Sequence, residues 1–235
     1  MESGRRILIM AEMHGRDLLR RHAAMLLLVA LPLAFYLSSG HSRPSAVTTG
    51  GVGMAFAIAG ATFFSTRYSD EVDQRLVLGG YRPIDLLLGR LLFLGPLGLV
   101  IAGGFTVLMT SLSHTHQPWI VLLGIGIVAL QSIPLGLAVG AGVANELEGT
   151  LVIIGVVGIQ MAAPPGSVVA KLLPFHEPQA VIVAGVNGHG GIWLPLLWSA
   201  LYGISLMTLA RILLRSRLDV AAHRALVEGR MVRAG

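Results

Sequence analysis

The stretch PWIVLLGIGIVALQSIPLGLAVGAGVA fills positions 118–144 without a single Asp, Glu, Lys, Arg or His. Wound as a helix it exceeds the roughly 30 Å hydrocarbon core of a bilayer, which takes about 20 residues at about 1.5 Å each. Five further runs approach or reach that length, at 23–40, 46–66, 86–111, 150–166 and 192–214. The charges inside these runs are Arg90 and, near the end of the last, Arg211. Each is expected to snorkel towards one surface, with the stem in lipid and the guanidinium in water. The fold class that follows is an all-α polytopic membrane protein with six transmembrane helices.

Between the fifth and sixth runs the pattern changes. Pro164-Pro165 stops the fifth early, and the apolar stretch after it is interrupted by Lys171, Pro174, His176, Glu177 and Pro178. Exposed backbone cannot stay unpaired in lipid, so 167–190 reads as a broken external segment, re-entrant or interfacial. At the other end, 1–22 reads as an amphipathic elbow helix carrying Arg5, Arg6, Arg16, Asp17, Arg20 and Arg21. It does not read as a cleavable signal, because no small-residue cleavage site follows a short apolar core. The transmembrane domain then covers 23–214, and 215–235 is a basic, helix-compatible tail suited to anionic lipid.

Orientation follows from the positive charges. With the amino terminus inside, the inner segments hold fifteen arginines: Arg5, Arg6, Arg16, Arg20, Arg21, Arg67, Arg75, Arg82, Arg90, Arg211, Arg215, Arg217, Arg224, Arg230 and Arg233. Arg43 and Lys171 alone remain outside. That imbalance predicts cytoplasmic amino and carboxyl termini in a multi-pass plasma-membrane protein. The formal charge of +5 therefore reflects membrane-flanking arginines, and nucleic acid is not an expected partner. Without cysteine there is no disulfide framework and no thiol chemistry. Arginine outnumbers lysine sixteen to one beside abundant Ala, Gly, Val and Leu, the composition of a GC-rich bacterial coding sequence.

The source of energy narrows the function further. All twelve Asp and Glu lie outside the six runs, so no carboxylate is available at the bilayer midplane for proton or sodium coupling. No phosphate-binding loop is present either, since the one lysine, Lys171, sits between Ala170 and Leu172. A pump built on this chain needs work from another subunit. The chain is not expected to be catalytic by itself: the spans contain no nucleophile and base pair and no carboxylate cluster for a metal.

The longest inner loop, 67–85, is where such a subunit would push. Its first half, Tyr68-Ser-Asp-Glu-Val-Asp-Gln-Arg-Leu-Val-Leu78, suits a short amphipathic helix with Asp70, Glu71 and Asp73 in the first turn, where the helix dipole favours them. Gly79-Gly80 ends that helix, and Pro83 restarts one that runs into the third span. The order Asp70-Glu71-x-Asp73-x-Arg75-Leu76-Val77-Leu78-Gly79, then Arg82-Pro83-x-Asp85-Leu86-x-x-Gly89-Arg90-Leu91-Leu92, resembles the first cytoplasmic loop of ABC-2 type transporter permeases. In architecture the resemblance spans nearly the whole chain; in motif it is confined to 70–92. The chain departs from the family at Gly79-Gly80-Tyr81, where Ala/Ser-Thr/Met-Pro is common.

The resemblance implies a permease that pairs with a second permease, identical or sister, and docks separate ABC nucleotide-binding ATPase subunits, with ATP and magnesium bound there and no cofactor in this chain. Carried over position by position, Asp70, Glu71, Asp73 and Arg75 lie in the coupling helix, and Asp85, Gly89 and Arg90 at the start of the third span. Glu146 and Glu148, in the short second inner loop, either contact the ATPase or cap a helix. Gln131 and Gln160, inside the fourth and fifth runs, either line a substrate path or hydrogen-bond across helices. Gly136-x-x-x-Gly140-x-x-x-Ala144 puts small residues on one helix face for close packing, expected within the protomer. His114-Thr115-His116 lacks the further ligands a zinc site needs.

The expected function is thus the transmembrane subunit of an ATP-driven exporter of a hydrophobic or amphipathic compound, such as a drug-like natural product, a peptide antibiotic or a lipid-linked molecule. A different class stays open: a non-transporting accessory, immunity or sensory subunit that binds a peptide or lipid.

Overall fold

The computed structural model describes residues 2–20, 22–40, 44–113, 115–164 and 166–234, with backbone alone at 2–3, 17–18, 23–24, 44 and 219–234. Arg21, Arg43, His114 and Pro165, which entered the reading above, lie outside the described residues or, like Arg224, Arg230 and Arg233, are described without side chains.

The described residues form helices and connecting turns, with no strand among them. In chain order the helices are α1 (Glu2–Arg20), α2 (His22–Ser38), α3 (Pro44–Tyr68), α4 (Asp70–Leu78), α5 (Pro83–Leu112), α6 (Pro118–Gly142), α7 (Glu146–Ala162), α8 (Val168–Leu172), α9 (His176–Asn187) and α10 (Trp193–Ala234). Among the described residues, four segments are long and apolar enough to cross a membrane: Ser45–Tyr68, Pro83–Leu112, Pro118–Gly142 and Trp193–Leu218. This is the make-up of a polytopic membrane protein. α2 and α7, at 17 residues each, fall short of the length that spans an average bilayer upright.

α6 is the centre of the bundle, buried over most of its length, with α3 laid along it. The small residues permit that approach. A side chain at Gly136 would run into the Ala59 carbonyl, and one at Gly140 would lie 2.9 Å from Thr66 Cβ. The Gly-x-x-x-Gly stripe therefore packs inside the protomer against α3, in the manner of close membrane helix pairs. α10 and α5, by contrast, present much of their surface outward, including Val100, Val107, Leu194 and Ile204. Such exposed apolar surface is costly in water and fits lipid.

The segment after α7 is broken, though not everywhere the sequence reading put the breaks. The interruption falls at 173–175, between α8 and α9. Pro178, read as an interruption, instead occupies the first turn of α9, where a missing N–H costs nothing. α9 closes on a left-handed Gly188 with φ 75° and packs Ile182 against Gly124 of α6 and Gly51 of α3. Tyr202 donates from α10 to the Leu172 carbonyl of α8. Trp119 and Trp193 stand exposed at the first turns of α6 and α10, with Trp198 exposed further along.

Candidate functional site

The loop 67–85 folds as its residues dictate. α4 opens with three acidic side chains in its first turn, favourable at the positive end of a helix. It ends in a Schellman motif: the Gly80 N–H reaches Val77 O at 3.0 Å and the Tyr81 N–H reaches Leu76 O at 3.0 Å. Gly80 takes φ 89°, the left-handed conformation that glycine adopts without a Cβ clash. Arg82 then caps α5, its N–H bonded to Asp85 Oδ2 at 3.4 Å in a capping-box arrangement, with Pro83 at the first helical position. Thus Gly79-Gly80-Tyr81, the departure from the permease pattern, still makes a regular helix stop. Arg6 of α1 secures it, donating to Gly80 O at 3.1 Å and lying 5.3 Å over the Tyr81 ring.

The two faces of α4 do different things. Asp70 and Asp73, three residues apart, share the inward face. Asp73 pairs with Arg90 of α5 at 2.5 Å, with side-chain exposures of 1% and 0%. Asp70 binds Arg217 of α10 and, at 3.5 Å, Arg67 at the end of α3. Arg217 also donates to Gly140 O at 2.6 Å, and Arg67 to Val143 O at 3.3 Å and to Ala144 O. Three arginines from three helices therefore converge on two aspartates and on carbonyls at and just past the end of α6, where the negative end of its dipole lies and intrahelical partners run out. The surplus positive charge is placed where it is stabilised.

Burial raises the Asp73 carboxyl above the ordinary aspartate range, against the pull of Arg90. The same desolvation raises Asp70, opposed by Arg217, Arg67 and Arg90. Asp73 Oδ1 and the Arg90 Nε and Nη1 are buried without hydrogen-bond partners. The pair is held by one charge-assisted bond and by the exclusion of water.

Two sequence expectations change here. Arg90 does not snorkel: its guanidinium is fully enclosed, because Asp73 supplies a counter-charge nearer than water. Asp73, expected among the residues facing an ATPase, has no surface to offer one. Glu71 and Arg75, four residues apart on the other face of α4, are exposed. So are Glu146 and Glu148 at the start of α7, where Glu148 accepts from the Asn145 side chain at 2.8 Å. Arg67 and Arg217 entered the sequence reading only as inner-side charges. Nothing local to Asp70 names a partner 147 residues away.

Gly89 proves to be the crossing point of α1 and α5. A Cβ there would lie 2.5 Å from Met10 Cβ and 3.3 Å from both Ile7 O and Ala11 N. Ile7, Met10, Ala11 and His14 make the covered stripe of α1, while Leu8, Ile9 and Leu19 remain exposed. α1, the α4 stop and α5 are therefore one linked unit. Asp85, in the first turn of α5, is 2% exposed and serves its cap. The two glutamines both reach across helices. Gln131 Nε2 donates to Ser199 O of α10 at 2.6 Å, and Gln160 Nε2 to Gln179 Oε1 of α9 at 3.4 Å. Among the described residues no group of three or more His, Cys, Asp or Glu is placed to hold a metal ion.

No protein-family model matches the chain, and no curated protein matches it.

Proposed function

We propose that this chain is the transmembrane permease subunit of an ATP-driven exporter, with six spans, both termini cytoplasmic, and a partner ATPase that pushes on α4. The observation that carries this reading is the division of labour on α4: one face is bolted by ion pairs to α3, α5 and α10, while the other leaves Glu71 and Arg75 free for a partner. A short helix held in that way transmits a displacement to three bundle helices rather than absorbing it. α1 continues the linkage, with its outer Leu8, Ile9 and Leu19 in the bilayer interface and Met10 against α5.

In this reading α2 and α7 are the first and fifth spans, tilted little or thinning the bilayer locally, and α8–α9 lie at the outer surface. The outward faces of α2 and α7, with Leu26, Leu27, Ile154 and Ile159, are available to a second permease. The cargo class is hydrophobic or amphipathic, and ATP hydrolysis belongs to the nucleotide-binding partner. The chain has no part in nucleic-acid binding.

The test is co-expression with the nucleotide-binding protein encoded beside it, followed by purification and reconstitution in lipid. Co-purification and an ATP hydrolysis rate changed several-fold by the presence of this chain are expected. Failure of any ATPase to associate would sink the transporter reading in favour of a non-transporting accessory subunit.

A further inference from the structure

A cavity of about 490 Å³ opens on the outward side of the bundle between α5, α6 and α10, within the roughly 300–1,000 Å³ typical of small-molecule sites. Its walls are apolar, with Leu91 and Gly95 from α5, Leu130 and Pro134 from α6, and Gly203 and Met207 from α10. Two polar side chains interrupt this lining, Gln131 and Ser199. They are 3% and 2% exposed, and Gln131 Oε1 and Ser199 Oγ have no hydrogen-bond partner. The orientation of the Gln131 amide is not arbitrary: its nitrogen must face the Ser199 carbonyl, which can only accept, so the oxygen is the atom left over. Gln131 sits thirteen residues into the 25-residue α6, near the middle of a membrane-spanning length, where water is not at hand to satisfy an amide oxygen or a hydroxyl.

From this geometry we infer that the cavity is a binding site for an aliphatic amphiphile drawn from the bilayer, its hydroxyl hydrogen-bonded to Gln131 and Ser199. A hydroxyl donates once and accepts twice, so one group meets the acceptor on Gln131 and the hydroxyl of Ser199 together. Both side chains belong to the cavity lining. The aliphatic body lies against Leu130, Pro134 and Met207, and Gly203 leaves room beside the Gln131 stem, 3.8 Å from where a Cβ would stand. The site is on the lipid-exposed side of α5 and α10 and does not depend on an ATPase partner.

The test uses the full chain in lipid nanodiscs and two photoactivatable probes, hexadecanol and hexadecane, each with a diazirine on the chain. Wild type is expected to take the alcohol about fivefold over the alkane, the discrimination one net hydrogen bond supplies, with adducts on the segments 127–134 and 196–207. Ser199→Ala, which keeps the Gln131 bond to the main chain, and Gln131→Leu should each bring that ratio close to one while alkane labelling persists. Gly203→Ile, which fills the cavity, should suppress both probes. Equal labelling of wild type by the two probes, a ratio untouched by Ser199→Ala, or adducts spread evenly over the outward helix faces would overturn the inference. Because the readout involves no ATP, its failure is separable from failure of the exporter reading.

Discussion

Arg90→Ala is expected to lower the unfolding free energy by about 3–5 kcal/mol, the range for removing one member of a buried ion pair. The loss is not the value of a single 2.5 Å contact. It is the cost of leaving Asp73, 1% exposed, as a buried carboxylate with no neutralising partner. Asp73→Ala strands the guanidinium in the same way. The combined change Arg90→Met/Asp73→Leu should recover most of the loss, because replacing both charges with apolar side chains of similar volume is often neutral or stabilising. Strong non-additivity between the two positions is therefore the signature, read from denaturant titrations in mixed micelles of wild type, Arg90→Met, Asp73→Leu and the combined protein. The restored protein should fold well and still transmit motion poorly, since α4 is then packed against α5 without being tied to it. A wild-type unfolding midpoint for Arg90→Ala would show that the pair does not hold α4 in place.

Gly89→Leu is expected to lift α1 from α5. On propensity alone the change should help, since leucine is a better helix former than glycine by somewhat less than the roughly 0.8–1 kcal/mol that separates glycine from alanine. Packing decides the sign, because the new side chain meets the Met10 side chain and the main chain of Ile7 and Ala11, and main chain cannot rotate away. Overpacking of this kind costs roughly 1–3 kcal/mol. The cost falls on the α1 contact rather than the whole bundle, so amides across 5–16 should exchange about 5- to 150-fold faster. Those of α6 should not change, and this contrast is the check. Protection across 5–16 equal to wild type would mean that α1 does not depend on close approach at Gly89.

What the sequence made legible was what lipid demands locally. Long uncharged runs had to be helices, because a chain in hydrocarbon must satisfy its backbone within the segment. The stop at Gly79-Gly80 and the restart at Pro83 were readable because both rest on fixed backbone chemistry. The Gly136 and Gly140 stripe was readable because small residues on one face have few uses other than close packing. Arg90 was misread for a reason of the same kind. Snorkelling is the default for an isolated arginine near a span end, and only the tertiary fold brings Asp73 close enough to replace water. Arg67 and Arg217 were seen as topology signals and not as members of a network, because the α6 carbonyls they bind carry no mark in the sequence. Pro178 shows the reverse limit, a residue that breaks a helix in its middle and begins one in its first turn.

The outer face of α4 is the proposed contact with an ATPase. Because the chain has no cysteine, Glu71→Cys carries a single thiol and can be fitted with a benzophenone maleimide in the reconstituted complex. Illumination is expected to give an adduct of this chain with the nucleotide-binding subunit from Glu71→Cys, and none from Thr115→Cys at the opposite end of the bundle. An adduct from Thr115→Cys, or none from Glu71→Cys while the ATPase remains bound, would contradict the account.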